Sequence, residues 1–335
     1  MRIAFFEIQN EEIPVFKKAL KGHKLIFFKE PINSDNALKA RGCECISVFV
    51  YSKINNEVIE KLPELRYIVT RSMGFDHIDL NACKKQGIKV SNTPHYGDNS
   101  VAEHTFGLML SLTRNIHKAY VRTLKDNHSI EGLEGFDLKG KTLGVIGVGR
   151  IGSKVVKIAR GFEMNVIACS HNKDNSLAKE LGFKYKDLDY LLKNSDIVTL
   201  HVPFVAENRH LINESALRKM KKGAILINTS RGSIVDTTAL LKALRNEHLG
   251  GVGLDVIEGE DLIKNEKEMA HNHKRIDIKK MKQIALDHKI LFNEKVVFTP
   301  HIAFYSKEAV QRIVETSIQN IISFSKGREI NIISC

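Results

Sequence analysis

The residues with the plainest chemical meaning are three glycines. Thr142-Leu-Gly-Val-Ile-Gly147-Val-Gly149-Arg150-Ile151-Gly152 runs an apolar stretch into the spacing GxGxxG, and Ser153–Arg160 follows with helical periodicity. In a strand-turn-helix that binds a dinucleotide each glycine has a steric reason. Gly147 allows the tight turn, Gly149 the close approach of a pyrophosphate, and Gly152 the packing of helix on strand. Backbone N–H groups at the helix start would then point at the phosphates. The spacing alone also occurs in ordinary glycine turns. The strand before it, the helix after it and a further apolar run, Asn165–Cys169, at the right distance favour a dinucleotide site.

One expected group is missing. The strand after such a loop commonly ends in Asp or Glu, which accepts hydrogen bonds from the ribose hydroxyls of NAD. This chain reads Val166-Ile-Ala-Cys-Ser170-His171-Asn172-Lys173. Ser170 is neutral, and His171 and Lys173 could face a 2′-phosphate, so NAD and NADP are both admitted. The equal alternative is that these are plain loop residues beside an NAD site.

Such a site needs a parallel sheet, and the chain carries the pattern of two. Apolar, β-rich runs alternate with helical segments from end to end, as βαβ units require. The first series of strands is Ile3–Ile8, Leu25–Lys29, Ile46–Tyr51 and Tyr67–Arg71, with helical Glu11–Leu20 and Asn56–Leu62 between them. The second is Thr142–Gly147, Asn165–Cys169, Ile197–Val202, Ala224–Thr229, Gly250–Val256 and Val296–Thr299. Between the series, Ser100–Leu124 places Val101, Phe106, Leu108, Met109, Leu112 and Ile116 as one long buried helix would, a connector between domains. A last helix, Lys307–Lys326, could pack on either domain, and Glu258–Glu294 reads as an irregular charged insertion.

Composition narrows the class. The 335 residues are 43% apolar and 27% charged, which fits two globular domains rather than disorder. No apolar run reaches the ~18–20 residues of a membrane span. Met1–Glu7 reads as a first strand rather than a signal peptide, so the cytoplasm is expected. Cys43, Cys45, Cys83, Cys169 and Cys335 form no paired CxxC sets, which argues for free thiols. The net charge of +12 is spread along the chain, densest near Lys264–Lys289, and no aromatic-interleaved basic motif points to nucleic acid.

Four further segments are specific in their order and spacing: His201-Val-Pro, Asn228-Thr-Ser-Arg231-Gly-Ser-Ile-Val-Asp236, Gly253-Leu-Asp255-Val-Ile-Glu-Gly-Glu260 and Thr299-Pro-His301-Ile-Ala-Phe-Tyr305. With Arg71-Ser-Met-Gly-Phe-Asp76-His-Ile-Asp79 and Asn99-Ser-Val-Ala-Glu103 upstream, the chain resembles the D-isomer-specific 2-hydroxyacid dehydrogenases over essentially its whole length. The His-x-Ala-Phe-Tyr and Asp-Val-x-Glu-x-Glu forms are most similar to the D-lactate dehydrogenase branch.

The resemblance implies an α/β protein of two doubly wound parallel-sheet domains. A flavodoxin-like substrate domain would span residues 1–98 and 303–335, and a Rossmann-type NAD(P)-binding domain residues 99–302, in a homodimer built on the connector helix. It also implies a catalytic trio of Arg231, Glu260 and His301. Reduction of a 2-keto acid puts negative charge on the carbonyl oxygen, and an imidazole that titrates near working pH can supply the proton. A carboxylate such as Glu260 would orient the ring and favour its protonated form. Arg231 offers a planar fork for the substrate carboxylate.

Carried over in the same way, Met73 and Gly74 bring backbone amides to that carboxylate, and Tyr51, Tyr96 and Phe304 line a small pocket; simple packing is the plainer role of the three rings. The cofactor contacts implied besides the glycines and Ser170 are Arg150 and Ile151 at the pyrophosphate, Val202, Pro203 and Asn208 on the adenosine side, and Thr229, Ser230 and Asp255, the first and last near the nicotinamide. No metal is assigned, to His271 and His273 in particular. Pyruvate or a slightly larger keto acid is the leading substrate, with glyoxylate or hydroxypyruvate as runner-up. A formate enzyme would carry Gln where Glu260 stands. A cofactor-sensing corepressor of the same fold is the alternative from another class.

Overall fold

The structure is a computed structural model that describes residues 1–264, 266 and 277–333. The chain divides into two compact units, Met1–Tyr96 with Tyr305–Cys335, and Gly97–Phe304.

In the first unit β1 (Arg2–Phe5), β2 (Lys24–Phe27), β3 (Cys45–Val48), β4 (Tyr67–Thr70) and β5 (Lys89–Ser91) form one sheet in the order β2-β1-β3-β4-β5. All its pairs are parallel, and the order is that of flavodoxin-like folds. β3 and β4 are buried at every position, as strands covered on both faces must be. One face packs Ile46, Val48, Val58, Ile68 and Val90; the other packs Ile3, Phe5, Phe16, Tyr67 and the C-terminal helix, Lys307–Ser325, through Val314 and Ile321. The stacking of Tyr67 on Phe324, with ring centroids 3.9 Å apart, fixes that helix to this unit.

In the second unit β6 (Thr142–Ile146), β7 (Asn165–Cys169), β8 (Lys184–Tyr185), β9 (Ile197–Leu200), β10 (Ala224–Asn228), β11 (Leu249–Leu254) and β12 (Val296–Phe298) run parallel in the order β12-β11-β10-β9-β6-β7-β8. Read from β6, this is the Rossmann order with a seventh strand, and the chain reverses direction across the sheet between β6 and β9. The helix Asp98–Thr113 lies on one face with Arg150–Gly161. β11 is glycine-rich where that helix presses on it: a Cβ on Gly253 would stand 2.7 Å from Ile227 Cδ1 and 3.1 Å from Leu108 Cβ.

Two expectations change. The buried helix stops at Thr113, whose carbonyl accepts from Phe136 N at 2.9 Å, and Asn115 takes a left-handed φ of +50°. The continuation, Ile116–Thr123, buries none of its residues, so Ile116 stands 52% exposed rather than in a core. The expected strands also run too long at their C-terminal ends. Ile3–Ile8 ends as a strand at Phe5, Ile46–Tyr51 at Val48 and Gly250–Val256 at Leu254. The trimmed residues form the turns that leave the sheet edge.

Within Glu258–Glu294 the structure has helices at Glu260–Lys264 and Ile278–Leu291; His271 and His273 lie outside the described residues, as does Cys335. No helix among the described residues is long and apolar enough to cross a membrane.

Candidate active site

Because every strand of the second unit is parallel, all C-terminal ends emerge on one edge of the sheet. The glycine loop leaves β6 there. Gly147 has φ +93°, a region that favours glycine, and its N–H donates to Cys169 O at 2.8 Å; a Cβ would lie 2.7 Å from His201 O. A Cβ on Gly152 would collide with the Gly147 carbonyl oxygen, so the helix Arg150–Gly161 starts directly against the turn. At Gly149 a Cβ would meet no protein atom within 4 Å. The space glycine keeps there lies over the helix N-terminus, where amides and dipole favour phosphate, and this fits a dinucleotide.

The neighbouring side chains are ordered around this turn. Arg150 donates from Nε to the buried Asp98 carboxylate at 2.7 Å, which sets the guanidinium at the helix start, and Ile151 packs on the core beneath. Ser170 directly follows β7, half-buried, with Lys173 exposed beyond it. Ser230 Oγ donates to Val202 O, Asn208 Nδ2 to Pro203 O at 2.8 Å, and the Thr229 and Thr105 hydroxyls pair at 3.0 Å. His201 is half-buried, with Nε2 2.9 Å from Thr199 Oγ1, and desolvation pushes its imidazole down to about 3, so it is neutral at working pH.

The trio sits at the ends of three adjoining strands. Arg231 follows β10, Glu260 follows β11 and His301 follows β12. Glu260 and His301 meet: Nδ1 of the ring donates to Oε1 at 3.2 Å, with the two side chains 28% and 15% exposed for His301 and Glu260. This leaves Nε2 as the ring atom able to carry a transferable proton. Arg231 turns Nη1 onto Ser230 O at 2.9 Å, and its own carbonyl accepts from Asn228 Nδ2 at 2.9 Å. Gly232 next to it allows the loop to touch the β11 exit, since a Cβ there would be 2.5 Å from Glu258 N.

Several residues that hold this arrangement, His210, Arg209, Thr237, Gln283 and Asp287, carry no signal in spacing, and they gather on Glu258 and its turn. Glu258 accepts from His210 Nε2 at 3.0 Å, Arg209 Nη2 at 3.3 Å and Thr237 Oγ1 at 3.4 Å, and its carbonyl accepts from Gln283 Nε2 at 3.1 Å. Gln283 also donates to Asp287 Oδ1 at 2.9 Å. Asp287 Oδ2 is buried without a hydrogen bond, against Gly259. Burial pushes this carboxyl up to about 7; the nearby Glu258 adds to the effect, and Gln283 and His288 oppose it. Among the described residues no cluster of His, Cys, Asp and Glu could hold a metal.

The first unit places its expected residues on its own sheet edge. Tyr51 follows β3, Met73 and Gly74 follow β4, and Tyr96 follows β5, three adjoining strands. Tyr51 is 42% exposed and Tyr96 is buried. Asn92 Nδ2 donates to Met73 O at 2.8 Å and Ser72 Oγ to Gly74 O at 2.6 Å. Phe304 belongs to the second unit, beside Gly97.

A phosphate-binding turn and a carboxylate-oriented imidazole on one sheet edge are the parts a hydride-transferring oxidoreductase needs, and that is the class this unit defines. A family model described as D-isomer specific 2-hydroxyacid dehydrogenase, NAD binding domain, matches residues 106–303. The chain is 39% identical to D-lactate dehydrogenase of Escherichia coli K12 over 91% of each chain. It is 38% identical to an aromatic 2-oxoacid reductase of Clostridium sporogenes, covering 97% of this chain and 96% of that one. A solved structure of D-lactate dehydrogenase from Aquifex aeolicus, complexed with NAD and lactic acid, superposes with a TM-score of 0.85 at 39% identity, covering 97% and 96%. The chain belongs to the D-isomer-specific 2-hydroxyacid dehydrogenases, NAD-dependent enzymes that act on CH–OH groups.

The Asp287 carboxyl yields a pH prediction. An unfolded Asp titrates near ~4, and the folded group near 7. The folded chain therefore holds the extra proton between these values, and stability is lost as pH rises through that window. Asp287→Asn, which cannot ionise, should raise Tm relative to wild type at pH 8 and give no gain at pH 4. Equal shifts at both pH values, read by calorimetry, would contradict this.

Proposed function

We propose that the protein is a D-lactate dehydrogenase-like reductase that converts pyruvate, or a slightly larger 2-keto acid, into the D-2-hydroxy acid. The observation that carries this reading is the Glu260–His301 pair at 3.2 Å, half-buried on the edge where the glycine loop lies. NADH, when bound, supplies the hydride to carbon 2. His301 gives the carbonyl oxygen its Nε2 proton while Glu260 holds the ring, and the Arg231 fork binds the substrate carboxylate. Residues 99–302 serve as the cofactor domain, with Val202, Pro203, Asn208, Thr229, Ser230 and Asp255 around the nucleotide. Residues 1–98 and 303–335 serve as the substrate domain, with Met73 and Gly74 amides on the carboxylate and Tyr51, Tyr96 and Phe304 around the side chain.

Similarity to the Clostridium sporogenes reductase supports a second reading, an aromatic 2-oxo acid. Glyoxylate and hydroxypyruvate remain the smaller alternatives, and a cofactor-sensing binding protein would show no turnover. A second copy of the chain is the proposed partner. Ile116 and Tyr120, four residues apart and so on one helix face, and Leu124 at the helix end are 52%, 64% and 69% exposed. Light scattering that gives the mass of one chain at micromolar concentration would remove the dimer. The cytoplasm is the proposed compartment, supported by the free thiols of Cys43, Cys45 and Cys169.

A panel of pyruvate, phenylpyruvate, glyoxylate and hydroxypyruvate tests the activity, and pyruvate should give the highest kcat/KM. His301→Ala should lower kcat on the best acid by about 10²–10⁴-fold, the usual contribution of a positioned proton donor. Near-wild-type reduction by His301→Ala would sink the assignment.

Cofactor choice follows from Ser170, which neither accepts as a carboxylate would nor repels a 2′-phosphate. We propose that NADP(H) is accepted, with kcat/KM for NADPH within about tenfold of NADH, a difference of ~1.4 kcal/mol. Ser170→Asp should restore a strong NADH preference by adding an acceptor and a repulsive charge. A wild-type preference for NADH near a thousandfold would show that another group discriminates.

A further inference from the structure

Glu7 is a buried carboxylate that the chemistry above does not use. It stands just past β1, 8% exposed, with a left-handed φ of +55°. Its Oε2 accepts from Phe49 N and Ser52 N at 3.0 Å each and from Ser52 Oγ, and its Oε1 accepts from Tyr51 N at 2.8 Å. Three backbone amides and a hydroxyl from the turn after β3 thus converge on one side chain. The main-chain oxygens of Phe6 and Glu7 accept from Arg71 Nη2 at 2.7 and 2.8 Å, and Arg71 Nη1 donates to Ser47 Oγ at 3.1 Å. Arg71 is itself buried and directly precedes Ser72, Met73 and Gly74.

Turn amides at a sheet edge are ordinarily left to water. Burying a carboxylate to bind them is costly unless its oxygens are hydrogen-bonded, and here both are. The result is a turn whose backbone is fixed from inside the unit while the Tyr51 ring stands outward. With Arg71 braced on the same backbone, the turns after β3 and β4 are held as one piece.

We propose that Glu7 is a positioning residue that sets substrate size preference, by fixing the Phe49–Ser52 turn and with it the place of the Tyr51 ring against the side chain of the 2-keto acid. The proposal rests on the reading of Tyr51 as a pocket residue. Gln at position 7 keeps one acceptor oxygen but presents an NH2 group to backbone N–H donors, so the turn must loosen. A small substrate depends most on a tightly placed ring, and a larger one fills a looser pocket.

The test is steady-state reduction of pyruvate and phenylpyruvate by full-length wild type, Glu7→Gln and the milder Ser52→Ala, together with NADH affinity and amide hydrogen exchange at Phe49, Tyr51 and Ser52. In Glu7→Gln the ratio of kcat/KM for phenylpyruvate over pyruvate should rise about fivefold or more, mainly through the KM for pyruvate, with NADH affinity within about twofold of wild type. Exchange at the three amides should quicken, and Ser52→Ala should move both readouts the same way by less. A merely structural role predicts equal losses on both acids. If Glu7→Gln does not fold, Ser52→Ala with an unchanged ratio and unchanged exchange overturns the proposal, as does an unchanged ratio in a folded Glu7→Gln. A wild type that binds NADH and reduces no 2-keto acid would instead fail the underlying reading, and unchanged exchange would then overturn the role of Glu7 in the turn as well.

Discussion

The buried carboxylate of Asp255 is the contact on which the geometry of the catalytic edge depends. Its Oδ1 accepts from Thr299 Oγ1 at 2.5 Å and Ile302 N at 2.9 Å, and its Oδ2 accepts from Ala303 N at 2.8 Å. Its carbonyl accepts from His301 N at 2.8 Å. The exit of β11 thereby grips the whole exit of β12. His301 sits inside that grip with φ +57°, a conformation uncommon for a non-glycine residue and one that persists only where the surroundings over-determine it. His104 adds a further brace, with Nε2 2.9 Å from Thr299 Oγ1; burial pulls its imidazole down while Asp255 acts against this.

The other member of the pair is held from the opposite side. Glu258 is clasped by His210, Arg209 and Thr237, and its carbonyl by Gln283, so the turn leading to Glu260 is pinned at both backbone and side chain. Gly232 brings the Arg231 loop against the same turn. A proton donor held by fixed dipoles needs little reorganisation when charge develops on a substrate oxygen, which is how such sites lower a barrier. The polar contacts here serve geometry first.

Much of this was legible in the chain because it depends on local rules. Steric need ties Gly147 and Gly152 to their turn, and continuous apolar runs mark strands buried on both faces, so the two parallel sheets and the glycine loop follow from order and spacing. The short edge strands Lys89–Ser91 and Lys184–Tyr185 are too brief to show a period. The end of the buried helix at Thr113 depends on a hydrogen bond from Phe136, twenty-odd residues away, and on the left-handed Asn115. Asp255 reads in the sequence as a nicotinamide neighbour; that both its oxygens also hold the His301 turn has no signal in the spacing. Glu7, Gln283 and Asp287 have no motif at all: the partners of Glu7 lie 42 to 45 residues along the chain, Glu258 lies 25 residues from Gln283, and Asp287 meets Gln283 one helical turn away. Such pairings become visible only once the sheets bring them together.

The most direct measurement separates these two roles of Asp255. In Asp255→Asn the amide cannot accept from Ala303 N as the carboxylate does, so the His301 turn loosens while the glycine loop is untouched. For 2-keto acid reduction kcat should fall by about a hundredfold, within the range a misplaced proton donor costs, with NADH affinity measured by fluorescence within about threefold of wild type. Weakened NADH binding with kcat preserved would contradict this and leave Asp255 as a cofactor contact alone.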